Sequence, residues 1–367
     1  MLVRSLEMVN FRNYSYEKVE FQNGANILYG DNAQGKTNLL EALFVGGTTK
    51  SHKGSKDREL IQIGKEEAHI RIMLEKKSMI HKIDMHLKKN KSKGIAIDGV
   101  PIRKSSELVG LMNLVFFSPE DLGIIKHGPS ERRRFIDMEL CQLYKIYLYH
   151  LSNYNKVLNQ RNNLLKQMSK NHSLKDTISV WDEQLVRFGS AIIQRREVFL
   201  DELEPLLSRI HYSLSGEKEN LRILYEKNVS VEEFGKKVKE SFERDLFSGT
   251  TNYGPHRDDV SFLIQDCDIR KYGSQGQQRT AALSLKLAEI DLISKVIKEQ
   301  PILLLDDVLS ELDRKRQTYL INQIKEIQTI ITCTGLEEFI NGNMQINKIY
   351  KVTDGTVESK DEEEHHE

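Results

Sequence analysis

The chain has 367 residues, and its 54 lysines and arginines balance 54 aspartates and glutamates, so a nucleic acid or membrane must be met by a local basic patch rather than a global field. Cys141, Cys267 and Cys333 are scattered without C-x-x-C spacing, which argues against a disulfide framework or a zinc site and fits a reducing, cytoplasmic setting. Met1–Tyr14 carries no cleavage signal and no stretch approaches the roughly 20 apolar residues of a membrane span, so a soluble chain of about two domains with no membrane partner is expected.

Residues 1 to about 125 read as strands with one early helix. Asn26–Tyr29 is a short apolar strand running into a glycine-rich turn, after which Leu39, Leu40, Leu43 and Phe44 share one face of a helix. His69–Leu74, His81–Leu87, Ile95–Ile97 and Leu114–Phe117 are strand candidates, with Lys88–Gly94 as a basic hairpin tip. The period then changes. Leu140, Tyr144, Tyr147, Leu151, Tyr154 and Leu158 form a heptad seam, and after a polar break at Ser169–Ser173 the spacing repeats through Leu174, Ile178, Trp181, Leu185, Phe188 and Ile192. This predicts an antiparallel helical hairpin whose first arm, from about 131 to 168, is roughly 55 Å long at 1.5 Å per residue. Beyond residue 250 strand signals return. Thr280–Glu289 reads as a helix, Ile302–Leu305 and Thr329–Thr334 as covered parallel strands, and Ile349–Val352 with Thr356–Glu358 as a hairpin turning at Asp354-Gly355. The acidic end, from 359 to 367, reads as a disordered tail.

Gly30-Asp31-Asn32-Ala33-Gln34-Gly35-Lys36-Thr37 fits G-x-x-x-x-G-K-[ST] between a strand and a helix. Its glycines let backbone N–H groups turn around a phosphate at a helix N-terminus. Lys36 is then expected to reach the β- and γ-phosphates of ATP, and Thr37 to hold Mg²⁺. Asp306 and Asp307 end the strand Ile302–Leu305, where one carboxylate can serve the metal and the other the attacking water; we assign Asp306 to Mg²⁺ and Asp307 to the water. Ser274-Gln275-Gly276-Gln277 precedes a helix and offers a second anion site, though such turns are also ordinary caps.

The order of these motifs, closing with Ser310-Glu311-Leu312-Asp313, resembles that of ABC-type ATPases and, within them, the RecF family. The resemblance is carried by Asn10-Phe11-Arg12-Asn13-Tyr14, the P-loop, Ser118–Leu122, Arg132–Phe135, Gly254–Asp259, the Ser-Gln-Gly-Gln turn and Leu305–Asp313. It implies an α/β ATPase head of mixed sheets from 1–130 and 250–358, with a helical lobe inserted at 131–249. It also implies ATP-dependent homodimerisation, weak DNA-stimulated ATP hydrolysis, binding to double-stranded and gapped or single-strand-junction DNA, and work with RecO and RecR to load RecA. In that setting Ser274, Gly276 and Gln277 act on the partner's nucleotide, and Arg12 and Asn13 touch their own. Gln275 stands where the wider group has glycine, no histidine follows Thr332–Thr334, and no clear Q-loop glutamine precedes the insertion, which implies slow turnover.

Lys88, Lys89, Lys91 and Lys93 on the hairpin tip, and Lys50, Lys53, Lys56 and Arg58 after the P-loop helix, are DNA candidates; a solvated basic turn explains either group equally well. Arg132–Arg134, His256 and Arg257 read as structural. A transporter subunit, an SMC-like chromosome protein and a small-molecule kinase are the competing readings. Lys36 and Ser274 stand 238 positions apart (274 − 36), too far for the first and too near for the second, and the third has no reason to carry the Ser274 turn.

Overall fold

The computed structural model describes residues 1–168, 177–336 and 345–360. They form two compact units, one from Met1–Asp121 with the chain from Glu289 onward, the other from Leu122–Ala288. By compactness 250–288 goes with the second unit rather than with the head, because its strand pairs and ion pairs lie there. Among the described residues no helix is long and apolar enough to cross a membrane.

The first unit opens with β1 (Leu2–Phe11), β2 (Tyr14–Glu20), β3 (Ala25–Tyr29), α1 (Lys36–Thr48), α2 (Asp57–Leu60), β4 (Glu67–Lys76), β5 (Met79–Lys88), β6 (Lys91–Ile97), β7 (Val100–Pro101) and β8 (Leu114–Phe117). An antiparallel sheet runs β2-β1-β4-β5-β6-β7. Ala68, Ile70, Ile72 and Leu74 of β4 are buried while the residues between them are only half-buried, the period of a sheet with one covered face. The basic tip is shorter than expected, since Lys91–Gly94 already belongs to β6. Helix α1 is buried on more than its expected face, Ala42, Val45, Gly46 and Gly47 included. A Cβ on Gly46 would stand 2.3 Å from Ile72 Cδ1 and one on Gly47 2.6 Å from Leu114 Cδ1, so the glycine pair lets α1 lie flush between β4 and β8.

The second unit holds α3 (Leu122–Lys126), α4 (Pro129–Leu143), α5 (Lys145–Met168), α6 (Ile178–Leu214), β9 (Leu221–Glu226), α7 (Val231–Glu240), α8 (Phe242–Ser248), β10 (Asp259–Ile264), β11 (Cys267–Asp268), α9 (Ile269–Tyr272) and the start of α10 (Gln275–Ile297). The hairpin is present as α5 against the 37-residue α6, but its first arm is two helices. Tyr144 is extended, with φ −135° and ψ 104°, and the break lets the Tyr147 hydroxyl return to Asp137 beside Arg196. The buried stripe on α5 therefore runs Tyr147, Tyr154, Val157, Arg161, Leu165, Met168, and Leu158 is only half-buried. Leu174 lies outside the described residues; Ile178, Leu185, Phe188 and Ile192 are buried as expected.

Two buried arginines organise this unit. Arg161 donates to Asp182 and to Asp245 at 2.7 Å each and to Thr251 at 2.9 Å. Arg196 donates to Asp137 at 2.8 Å, the Pro255 carbonyl at 2.7 Å and Asp258 at 3.2 Å. Arg132 pairs with Asp259 at 2.7 Å, so the Gly254–Asp259 segment is a clamp between helices and the small antiparallel sheet β11-β10-β9. His256 bridges Tyr154 (2.6 Å) and the Thr251 carbonyl (3.1 Å). Burial first, then the neighbouring arginines, lower its pKa to about 4. The unfolded chain takes up that proton near pH 6.5 and the folded chain only near pH 4. Stability should therefore fall by up to about 3 kcal/mol as pH drops across that window. Urea midpoints between pH 7 and 4 check this, and His256→Gln should flatten the slope.

The chain then returns to the first unit with β12 (Ile302–Asp306), α11 (Arg314–Gln323), β13 (Thr329–Cys333), β14 (Ile346–Thr353) and β15 (Thr356–Lys360). The second large sheet runs β15-β14-β3-β13-β12-β8, parallel except for β15. All five residues of β12 and of β13 are buried, which is why both read as unbroken apolar runs. Ser359 and Lys360, expected in the tail, close β15; 361–367 lies outside the described residues.

Candidate active site

Register aligns the carboxyl ends of three parallel strands. Tyr29 ends β3 opposite Cys333, and Thr332 of β13 pairs with Asp306 of β12. Ligands of open parallel sheets collect at such an edge. The Gly30–Thr37 loop leaves β3 there and opens α1. Gly35 caps the helix at φ 117° with no side chain in the cap, which leaves the first helical N–H groups for an anion. A Cβ on Gly35 would fall 2.6 Å from Asn13 Nδ2. Asn13 and Tyr14 brace the loop from behind, donating to the Gln34 carbonyl (3.0 Å) and the Gly35 carbonyl (3.1 Å). The Asp354-Gly355 turn adds two N–H bonds to Gln34, at 2.6 and 3.1 Å.

Lys36 is 4% exposed, its ammonium donating to the carbonyls of Gly30 (2.6 Å) and Asp31 (2.8 Å). Two of three protons are thus held by the loop, and the head is fixed at its hollow. Thr37 Oγ1 donates to Asp306 Oδ1 at 2.8 Å, and Thr332 donates to the same oxygen at 2.8 Å. Thr332 Oγ1 also accepts from the Asp307 N–H at 3.0 Å. Thr332 therefore sets both aspartates, a role only the strand pairing reveals. Asp307 sits at φ 52°. Burial first, and Asp306 second, push its carboxyl above the ordinary range against the opposing pull of Lys36. A hollow of about 250 Å³ is lined by the loop, Asn38, Lys53 and Asp307. Next to it a wider recess is lined by Arg12, Asn13, Asn38, Glu59, Ile61, Gln62 and Ile63. The chemistry fits a magnesium nucleotide: a cationic cradle for phosphate, hard oxygens on Thr37 and Asp306 for the metal, and a carboxylate at the phosphate end.

Arg12 lines the wider recess beside Asn13. Its guanidinium is spent on Glu41 (2.8 and 3.0 Å), the Glu59 carbonyl (2.8 Å) and Ser55 (2.8 Å). Burial alone would raise the Glu41 carboxyl, but hydrogen bonds from Arg12 and Ser51 hold it below its usual value. Lys53, one of the DNA candidates, lines the phosphate hollow. Lys93 is pinned to Asp57 (2.8 Å) and the Thr49 carbonyl and does not project from the tip. Lys89 pairs with Glu66 at 3.0 Å. Lys91, Lys56 and Arg58 are exposed and Lys88 half-buried.

In the second unit Ser274 caps α10 reciprocally with Gln277. The Gln277 N–H donates to Ser274 Oγ (3.2 Å), and the Ser274 N–H to Gln277 Oε1 (2.8 Å). The helix starts at Gln275, five residues before the expected Thr280, so Ser274 caps it and the rest of the motif lies in its first turn. Ser274, Gln275 and Gly276 are exposed. A Cβ on Gly276 would meet nothing closer than Ser274 Oγ at 3.9 Å.

Fold and site together define a P-loop ATPase head of the ABC and SMC-like kind. The family model described as the RecF/RecN/SMC N terminal domain matches residues 2–358, and the chain belongs to the RecF family. It is 64% identical over 358 residues to the DNA replication and repair protein RecF of Lachnoclostridium phytofermentans, covering 98% of this chain and 99% of that one. The RecF of Lachnospira eligens is 58% identical over 359 residues, covering 97% and 99%. Among solved structures, the recombination mediator protein RecF-ATP of the RecFOR pathway matches with TM-score 0.91 at 36% identity, over 98% and 97% of the two chains. An Smc head bound to the C-winged helix domain of ScpA shares the fold, with TM-score 0.57 at 18% identity over 99% and 98%.

Proposed function

We propose that this chain is an ATP-switched, DNA-binding dimer of recombinational repair and replication restart, cooperating with RecO and RecR to load RecA at gapped DNA. ATP with Mg²⁺ sits between two copies, each triphosphate held by Gly30–Thr37 of one and by Ser274, Gly276 and Gln277 of the other. The observation that carries this reading is the Ser274 turn. Its hydroxyl accepts from Gln277 and has no acceptor for its own proton among the described residues, and the space before Gly276 is open. A donor so presented fits a phosphate oxygen arriving from outside the chain. The RecF-ATP relative supports the nucleotide, and the replication and repair relatives support the pathway. The recess beside Asn13 and Ile63 takes the nucleoside end.

Thr37 and Asp306 would hold Mg²⁺, which would supply neutralisation of the charge on the phosphates. Asp307, which lines the phosphate hollow, would accept the proton of the attacking water. Loss of the γ-phosphate removes the shared contact and opens the dimer, releasing DNA. Asp307→Asn should therefore slow hydrolysis by about 10²-fold or more while dimers persist with ATP, read by phosphate release and light scattering. Sedimentation velocity tests the whole reading. ATP with Mg²⁺ should convert monomer to dimer and raise DNA affinity in parallel; an unchanged monomer in saturating ATP contradicts it.

A further inference from the structure

Behind the Ser274 turn lies a chain of polar contacts that ordinary capping does not need. Gln277 uses its carbonyl oxygen on the Ser274 N–H, and its amide nitrogen donates to Glu219 Oε1 at 2.9 Å. Glu219 Oε2 in turn meets His211 Nε2 at 3.3 Å, and His211 Nδ1 meets Ser284 Oγ at 3.1 Å. His211 is fully buried at the C-terminal end of α6. Glu219 follows in the turn before β9, where its N–H donates to Ser215 Oγ at 3.1 Å.

The chemistry of these groups is directional. An ionised carboxylate only accepts, whereas a glutamine amide can present either end. Facing Glu219, Gln277 must turn its NH₂ that way, which leaves its oxygen for the Ser274 N–H. With the opposite rotamer two donors would confront each other at the Ser274 N–H, and the cap would keep only the bond from the Gln277 backbone N–H to Ser274 Oγ. The Gln277 backbone N–H makes Ser274 Oγ an acceptor inside the chain, leaving its proton to point outward, and the Gln277 side-chain oxygen holds the Ser274 backbone in the place from which it does so.

We infer that Glu219, steadied by His211, is a positioning residue for the trans phosphate contact: it fixes the amide of Gln277, and through it the donor direction of Ser274. This rests on the shared-site reading above. The device acts on the Ser274 turn only, so nucleotide uptake by the P-loop serves as its control.

The test is a thermodynamic cycle on full-length chain, using ATP-dependent dimerisation followed by sedimentation and a fluorescent ATP analogue for monomer binding. Glu219→Ala should weaken dimerisation about tenfold, the scale of one charge-assisted hydrogen bond. Glu219→Gln, which still offers an oxygen to Gln277, should recover most of that loss. In a Gln277→Ala background the same Glu219→Ala change should alter dimerisation less than about twofold, because the residue it acts through is gone. Equal losses in both backgrounds overturn the inference, since they mean Glu219 acts by general stability or by another route. No loss in either background overturns it too. Wild-type chain that stays monomeric in ATP overturns the shared-site reading and this inference together. Wild type that dimerises while Glu219→Ala dimerises equally well overturns this inference alone.

Discussion

Lys36→Met is expected to weaken ATP binding by about 10²–10³-fold, the loss of one or two charge-assisted hydrogen bonds to phosphate. The ammonium is already placed: carbonyls of Gly30 and Asp31 hold it at 2.6 and 2.8 Å, so little ordering is left to be done when a triphosphate arrives. Methionine fills the same channel without charge, and the loop keeps its braces from Asn13, Tyr14 and the Asp354-Gly355 turn. The variant should fold normally and lose nucleotide binding, dimerisation and ATP-dependent DNA affinity together. Calorimetric titration with ATP and Mg²⁺ reads the first, and near-native affinity would remove Lys36 from the cradle.

The second large effect is structural. Arg196→Met should destabilise the helical unit by about 3–5 kcal/mol, the usual cost of stripping a buried charge of its partner. Arg196 is 2% exposed, and its removal leaves Asp258, 1% exposed, without its cation and Tyr147 and the Pro255 carbonyl without a donor. The sole tryptophan, Trp181, lies on the same helix α6, so its fluorescence in a urea titration follows this unit. As a contrast, Lys236 of the same unit pairs with Glu240 while exposed. Such a surface pair contributes little, and Lys236→Met should move the midpoint by no more than about 0.5 kcal/mol. Similar losses in the two variants would mean that the buried network does not organise the unit.

Features fixed by local spacing were legible in the sequence. The P-loop, the apolar run of β12 leading into Asp306 and Asp307, and the Asp354-Gly355 hairpin each combine a short motif with flanking periodicity, and the structure forms these elements as read. Features that depend on partners distant in the chain were not. Thr332 reads as one more β-branched strand residue until pairing sets it beside Asp306. Arg161 and Arg196 fall on helix faces where a pattern rule expects apolar groups, and only Asp182, Asp245, Asp137 and Asp258 make their burial tolerable. The break at Tyr144 hides for the same reason, since a heptad count carries no information about Tyr147 bonding Asp137. Lys53 and Lys93 were grouped with basic neighbours by composition, yet one faces the phosphate hollow and the other is tied to Asp57. Arg12 is tied to the nucleotide by resemblance alone, and its bond to Glu41, a lone buried acid within an apolar helix, shows only in the structure.

That a triphosphate is shared by two copies is tested most directly by mixing two defective chains. Lys36→Met cannot hold nucleotide, and Ser274→Arg holds it but cannot complete a partner's site. Combined in equal amounts with ATP and Mg²⁺, they form one intact site, from the P-loop of the Ser274→Arg chain and the Ser274 turn of the Lys36→Met chain. Dimers and phosphate release should appear in the mixture when neither chain alone gives them. A mixture that only averages its two components would contradict the shared site.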